Sequence, residues 1–172
     1  MRKLFYALLV CCFLLGCNNV KKQHFMGTTQ GSYYSIIYYD EENRDFSSEF
    51  DSIFKEIEST LSLWDENSII RRVNRNDTSV VLNQIFIDNF NYAMRAAELS
   101  DGYFDPTVGP LVQAWGFHFK EGMVMTPEIV DSLKQLVDYR KIKIENNKVV
   151  KENPNMTLDF NAVAQGYTTD MI

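Results

Sequence analysis

Cysteine is scarce in this 172-residue sequence, and all three copies fall at positions 11, 12 and 17, within or at the end of the first apolar run. No disulfide framework is therefore possible in the body of the chain. Histidine is scarcer still: His24 and His118 lie far apart, and neither has a second His or a Cys at ligand spacing, which excludes the zinc templates. The apolar stretches are all shorter than the about 20 residues that span a bilayer as a helix. Basic charge is neither dominant nor clustered. With 17 Lys and Arg against 23 Asp and Glu, the net charge is -6, which argues against a nucleic-acid binder that must neutralise phosphates. The nucleophile elbow, the P-loop and the dinucleotide glycine fingerprint are all missing. So are internal repeats, low-complexity tracts and an interdomain linker.

What is present begins with Arg2 and Lys3, followed by an apolar run over residues 4–15 that ends at Gly16 and Cys17. A charged start, a short apolar stretch and a small residue before a cleavage point form the layout of a secretory signal peptide over residues 1–16; a buried N-terminal helix is the bland alternative. The stretch "LLGC" resembles the lipobox of bacterial lipoproteins. That resemblance implies lipidation at Cys17, a tether over residues 17–24, and a chain exported to face the periplasm or cell exterior on a membrane anchor. Several acyl chains anchor a protein stably where one does not.

The remainder, with 45% hydrophobic and 13% aromatic residues, can bury a core. "FMGTTQGSYYSIIYY" reads as a strand, a turn over residues 27–31 and a second strand over 32–39. Apolar residues at Phe46, Phe50, Ile53, Phe54, Ile57 and Leu61 recur every three or four positions, one face of a helix. Ser68 is a candidate N-cap for a short turn through Arg72, residues 80–82 a short strand, and residues 84–99 a second long helix ended by Ser100-Asp101-Gly102. Thr126-Pro127-Glu128 opens another helix. "KIKIENNKVVKE" alternates around Asn146-Asn147 as a hairpin does, and a last strand over 156–160 leads into a helix. Amphipathic helices against antiparallel strands make the fold class α+β. Because the final helix stops at Ile172, the expectation is a truncated domain over residues 25–172.

Glu56 and Glu58 read as solvated carboxylates on a helix face. Four stretches remain that put backbone freedom beside aromatic or polar side chains: "MGTTQG", "SLWDENS", "GYFDPTVGP" and "LDFNAVAQGY". Trp64 offers a flat ring in a polar setting. Gly102 permits close approach of a ligand to the backbone, and Asp105 is an acceptor held before a rigid Pro106. Asp159 and Gln165-Gly166 sit where an extended segment enters a helix, a geometry that commonly meets phosphate or metal. Each stretch alone is an ordinary turn composition.

In this order the stretches resemble the ApbE-type flavin transferases, the FAD:protein FMN transferases. "MGT", "S-x-W-x-x-x-S" running to the Asn of "RRVN", "GYFDPTVGPL" with "WGF", and "LDFNAVAQGY" with its following Asp carry the resemblance, the third stretch most specifically. It implies a T-fold-like architecture, with FAD as substrate and Mg2+ as its metal. FMN passes to a Thr or Ser hydroxyl of a flavin-accepting target protein, and AMP leaves. It also puts Met26, Trp64, Tyr103, Phe104, Asp105 and Gln165 at FAD and the backbone carbonyl of Thr168 at the metal. Gln165 stands where the family usually has Lys or Glu, so a neutral amide replaces a charge. Trp115 and Phe117 are expected to pack the third stretch onto the core. The alternatives are an FAD diphosphatase of the same fold, with water as acceptor, and a non-catalytic flavin-binding lipoprotein. On the truncation reading, the isolated chain is expected to be inactive or unstable.

Overall fold

A computed structural model of the protein describes residues 20–117 and 122–172. The signal stretch over 1–16, Cys17 and His118 lie outside the described residues. Contacts divide the chain into two compact units, residues 1–49 and 50–172.

In the first unit, β1 (Lys21–Thr29) and β2 (Ser32–Asp40) pair antiparallel, with Phe25 opposite Ile36 and Thr29 opposite Ser32. Their turn is tighter than the sequence suggests. Only Gln30 and Gly31 connect the strands, both with positive φ (50° and 70°), as a twist-matched two-residue hairpin demands. Gly27, expected within the turn, belongs to β1 opposite Tyr34. A Cβ on it would sit 2.8 Å from the Tyr34 ring, so a cross-strand aromatic, and not turn geometry, accounts for this glycine.

The second unit carries the rest of α1 (Ser47–Leu61), then α2 (Ile69–Asn74), α3 (Gln84–Leu99), α4 (Gly109–Ala114), α5 (Pro127–Lys134), the antiparallel pair β3 (Ile142–Glu145) and β4 (Lys148–Lys151), and α6 (Asn161–Met171). The α1 periodicity is realised as Phe50, Phe54, Ile57 and Leu61, all buried. The core gathers around the Phe160 ring, whose centroid lies 5.4 Å from that of Phe86 and 6.4 Å from that of Phe90 in edge-on contacts, the arrangement ring quadrupoles favour. The Ser68 and Thr126 caps follow the sequence and Asn83 adds a third: each side chain accepts from the third amide beyond it, at the starts of α2, α5 and α3. Asn146 and Asn147, with φ of 49° and 58°, form the β3–β4 turn.

Two expected strands do not form. Residues 80–82 are irregular, although Val80 and Leu82 are buried. Residues 156–160 are buried at Met156, Leu158 and Phe160 yet make only an isolated parallel bridge, Thr157 with Val108. Buried backbone must still find partners, and here a side chain supplies them. The Asn74 amide donates to the Leu158 carbonyl at 2.8 Å and its oxygen accepts from the Leu158 N–H at 2.8 Å, reproducing both bonds of a strand neighbour. On the next residue, the Asp159 N–H donates to the Pro106 carbonyl at 2.8 Å. Lys151 Nζ donates to the Val73 and Asn74 carbonyls at 2.9 and 3.2 Å, closing the C-terminus of α2, where a cation is favoured. Burial pushes its ammonium down to about 8.

Two outcomes test this account of residues 156–160. Asn74→Ala leaves both Leu158 backbone groups unpaired in a buried setting and is expected to cost about 2–4 kcal/mol; a loss below about 1 kcal/mol in urea unfolding contradicts it. At Gly109 an added Cβ would sit 2.4 Å from Thr157 Oγ1, so Gly109→Ala is expected to cost about 1–3 kcal/mol by overpacking. Adding Thr157→Ala should then recover part of that loss, and strict additivity of the two substitutions would show that the collision is not its cause.

Candidate functional site

The site is built where α3 stops. Past Leu99, Asp101 and Gly102 both take positive φ (52° and 81°), and the Gly102 N–H donates back to the Ala97 carbonyl at 2.9 Å, ending the helix with the left-handed residues such ends use. The Ser100 hydroxyl accepts from the Phe104 N–H at 3.0 Å. The resulting loop turns Tyr103 outward, 97% exposed, while Phe104 packs against the core. Asp105 then fixes the loop to a neighbouring segment. Its Oδ1 accepts from the Thr107 N–H at 2.8 Å and from the Thr107 hydroxyl at 2.6 Å, and its Oδ2 accepts from the Tyr139 N–H at 2.9 Å. A carboxylate has about four acceptor positions, so one remains on Oδ2.

An open groove of about 420 Å3 runs beside this loop, lined by Tyr103, Phe104 and Asp105, by Val137, and by Asp159, Asn161 and Ala162. Its size lies within the usual range for small-molecule sites, about 300–1,000 Å3. One wall thus offers aromatic surface and a carboxylate. The other is the first turn of α6, where the Val163 and Ala164 N–H groups donate to the Phe160 carbonyl at 2.9 Å each, so that the Ala162 N–H is the one turned to an anion at the positive end of the helix. The Asp159 carboxylate accepts the Asn161 N–H at 2.9 Å. A groove with flat rings at one side and a helix N-terminus at the other suits a ligand that is both planar and anionic.

Of the residues expected at FAD, the structure brings Tyr103, Phe104 and Asp105 together on this groove. Gln165 is exposed on α6, one turn beyond Asn161 and on the same helix face, so it continues the wall without lining the groove. Thr168 lies on the buried face, where its hydroxyl donates to the Ala164 carbonyl at 2.7 Å, and it is about 9 Å along the helix axis from Ala162. Trp64 is 54% exposed on a separate loop. The Ser62 hydroxyl accepts from the Trp64 and Asp65 amides at 3.2 Å each, and the Ser68 hydroxyl donates to the Ser62 carbonyl at 2.6 Å. The two serines of "S-x-W-x-x-x-S" therefore brace the loop that presents the indole. Met26 belongs to the first unit, on β1, and is 70% exposed. Trp115 and Phe117 correct an expectation: both are exposed, Phe117 by 76%, and neither packs into the core. Asn161 and Ala162 escaped the sequence reading, although "LDFNAVAQGY" marked their surroundings. No three His, Cys, Asp or Glu side chains cluster to hold a metal among the described residues.

The chain is 27% identical over its whole length to a Vibrio cholerae protein named FAD:protein FMN transferase, covering 54% of it, and 28% identical over 97% of its length to a Chlamydia muridarum protein of the same name, covering 56%. It spans about half the length of the curated relatives it matches. Among solved structures, the flavin transferase ApbE from Vibrio cholerae superposes with a TM-score of 0.80 at 26% identity, over 88% of this chain and 52% of that one. The ApbE protein of Thermotoga maritima shares the fold, with a TM-score of 0.79 at 23% identity. The FDP loop and the entry to α6, which build the groove, both fall within residues 30–172, the stretch matched by the ApbE family's sequence pattern, and the chain belongs to that family.

Proposed function

We propose that this chain forms the FAD-holding part of an FAD:protein FMN transferase. The observation that carries the proposal is the groove in which Tyr103, Phe104 and Asp105 meet the N-terminal turn of α6. The aromatic side chains suit the flat rings of FAD, and the helix N-terminus suits its pyrophosphate. Asp105 keeps one acceptor position for a ligand donor, and Gln165 continues the α6 wall; Trp64, on its separate loop, is assigned to FAD by the family resemblance.

Two carboxylates, Asp105 and Asp159, line the same groove. Beside a pyrophosphate they repel it unless a cation intervenes. Hard oxygen donors, one or two carboxylates with phosphate oxygens and water, are what Mg2+ prefers, so the donor set fits the ion even though these residues alone do not enclose one. Thr168 would contribute through its backbone carbonyl, since its side chain is buried. When bound, Mg2+ supplies charge neutralisation at the pyrophosphate. The chain's own part is to orient FAD so that a Ser or Thr hydroxyl of the target protein attacks the FMN phosphorus and AMP departs. Positioning and electrostatics dominate such transfers, and no enzyme nucleophile is required.

FAD is expected to bind the chain with quenching of flavin fluorescence, and Tyr103→Ala to weaken binding about tenfold, the scale of one lost stacking contact. In a protein that carries the rest of the relatives' length, turnover with Mg2+ and an acceptor protein is expected to leave FMN attached to the acceptor; free FMN instead identifies the diphosphatase. Absence of any FAD binding rejects both.

The "LLGC" stretch supports export and a lipid anchor on Cys17, which would hold the transferase at a membrane surface outside the cytoplasm. Metabolic labelling with a fatty-acid analogue is expected to mark the protein and to lose the mark in Cys17→Ala; label retained in that variant refutes the anchor.

A further inference from the structure

We infer that Thr107 is a positioning residue for FAD, an inference that rests on the groove being the FAD site. Thr107 is fully buried and does not itself line the groove, yet its hydroxyl joins two of the segments that do, the Tyr103 to Asp105 loop and the stretch that carries Val137. Its Oγ1 donates to Asp105 Oδ1 at 2.6 Å and accepts from the Asp138 N–H at 2.9 Å. Neither direction is open to choice. An amide N–H can only donate and an ionised carboxylate can only accept, so the single hydroxyl proton is committed to Asp105.

The consequence for the ligand follows from counting lone pairs. Oδ1 of Asp105 is filled by the Thr107 amide and hydroxyl, and Oδ2 holds only the Tyr139 N–H. Thr107 thereby reserves the carboxylate's remaining acceptor position on Oδ2. It also holds Asp138 next to Val137, which lines the groove, and Tyr139, whose ring lies 3.7 Å from where a Gly102 Cβ would be. Without the hydroxyl, Oδ1 regains an acceptor position, the carboxylate can turn, and the Asp138 N–H loses its partner.

FAD affinity of the full chain, read by flavin fluorescence, tests the inference. Thr107→Val is expected to weaken binding about tenfold, while Thr107→Ser, which keeps the hydroxyl, should stay within about twofold of the parent. In an Asp105→Asn background, Thr107→Val should add less than about twofold, because the effect runs through Asp105. Parental affinity in a folded Thr107→Val chain overturns the inference, as does Thr107→Ser binding as weakly as Val, or a full tenfold loss on top of Asp105→Asn. If Thr107→Val does not fold, Thr107→Cys replaces it with a weaker donor of similar size, and parental affinity there is equally fatal. A parent chain that binds no FAD removes the groove assignment itself, which separates that failure from failure of Thr107.

Discussion

The second unit hangs on a side chain acting as a strand. Residues 156–160 run through buried surroundings without joining a sheet among the described residues, and the Asn74 amide meets both backbone groups of Leu158. The neighbouring residue, Asp159, is bound to the Pro106 carbonyl. One short stretch therefore registers α2 on one side and the FDP loop on the other. Phe160, which enters the aromatic core, and Asp159, which faces the groove, are adjacent on that stretch. Loss of either bond would leave buried polar groups unpaired, a cost that core packing does not repay.

The same linkage sets the precision of the groove. The Tyr103 to Asp105 loop is tied to residues 138–139 through Asp105 and Thr107, and to Asp159 through Pro106. Its lining residues come from three separated stretches of chain, and backbone or carboxylate hydrogen bonds of 2.8 to 2.9 Å hold these together. Such supporting bonds keep a binding surface within the narrow tolerance that recognition needs. Tyr103, by contrast, is held only by its backbone, which leaves the ring able to adjust to a flat partner.

Local chemistry made much of this legible. The periodicity of α1 and α3, the Ser68 and Thr126 caps and the Asn146-Asn147 turn are written in adjacent residues, and each formed as the sequence implies. Errors arose where a distant partner decided the outcome. Gly27 looks like turn chemistry but answers to the Tyr34 ring across the hairpin. Residues 80–82 and 156–160 have strand composition, yet among the described residues no strand pairs with them, and pairing is a property of the neighbour. At the site, "GYFDP" announced Tyr103, Phe104 and Asp105. Thr107 went unnoticed because its significance depends on Asp138, 31 residues away. Trp115 and Phe117 sit in an apolar stretch that composition alone would bury, and they face solvent instead.

Stability and ligand affinity are consequently not separable properties here. A ligand spanning the FDP loop and the first turn of α6 would contact both sides of the Pro106 to Asp159 bond, so binding and that bond restrain the same motion. Whatever loosens residues 156–160 must also enlarge the set of groove shapes, and affinity falls by the fraction of molecules left in the competent one. Conversely, a ligand that binds only the folded groove stabilises the fold by mass action. Asn74, which touches no groove residue except through the backbone of its neighbour, thus belongs to the binding function as much as to the core.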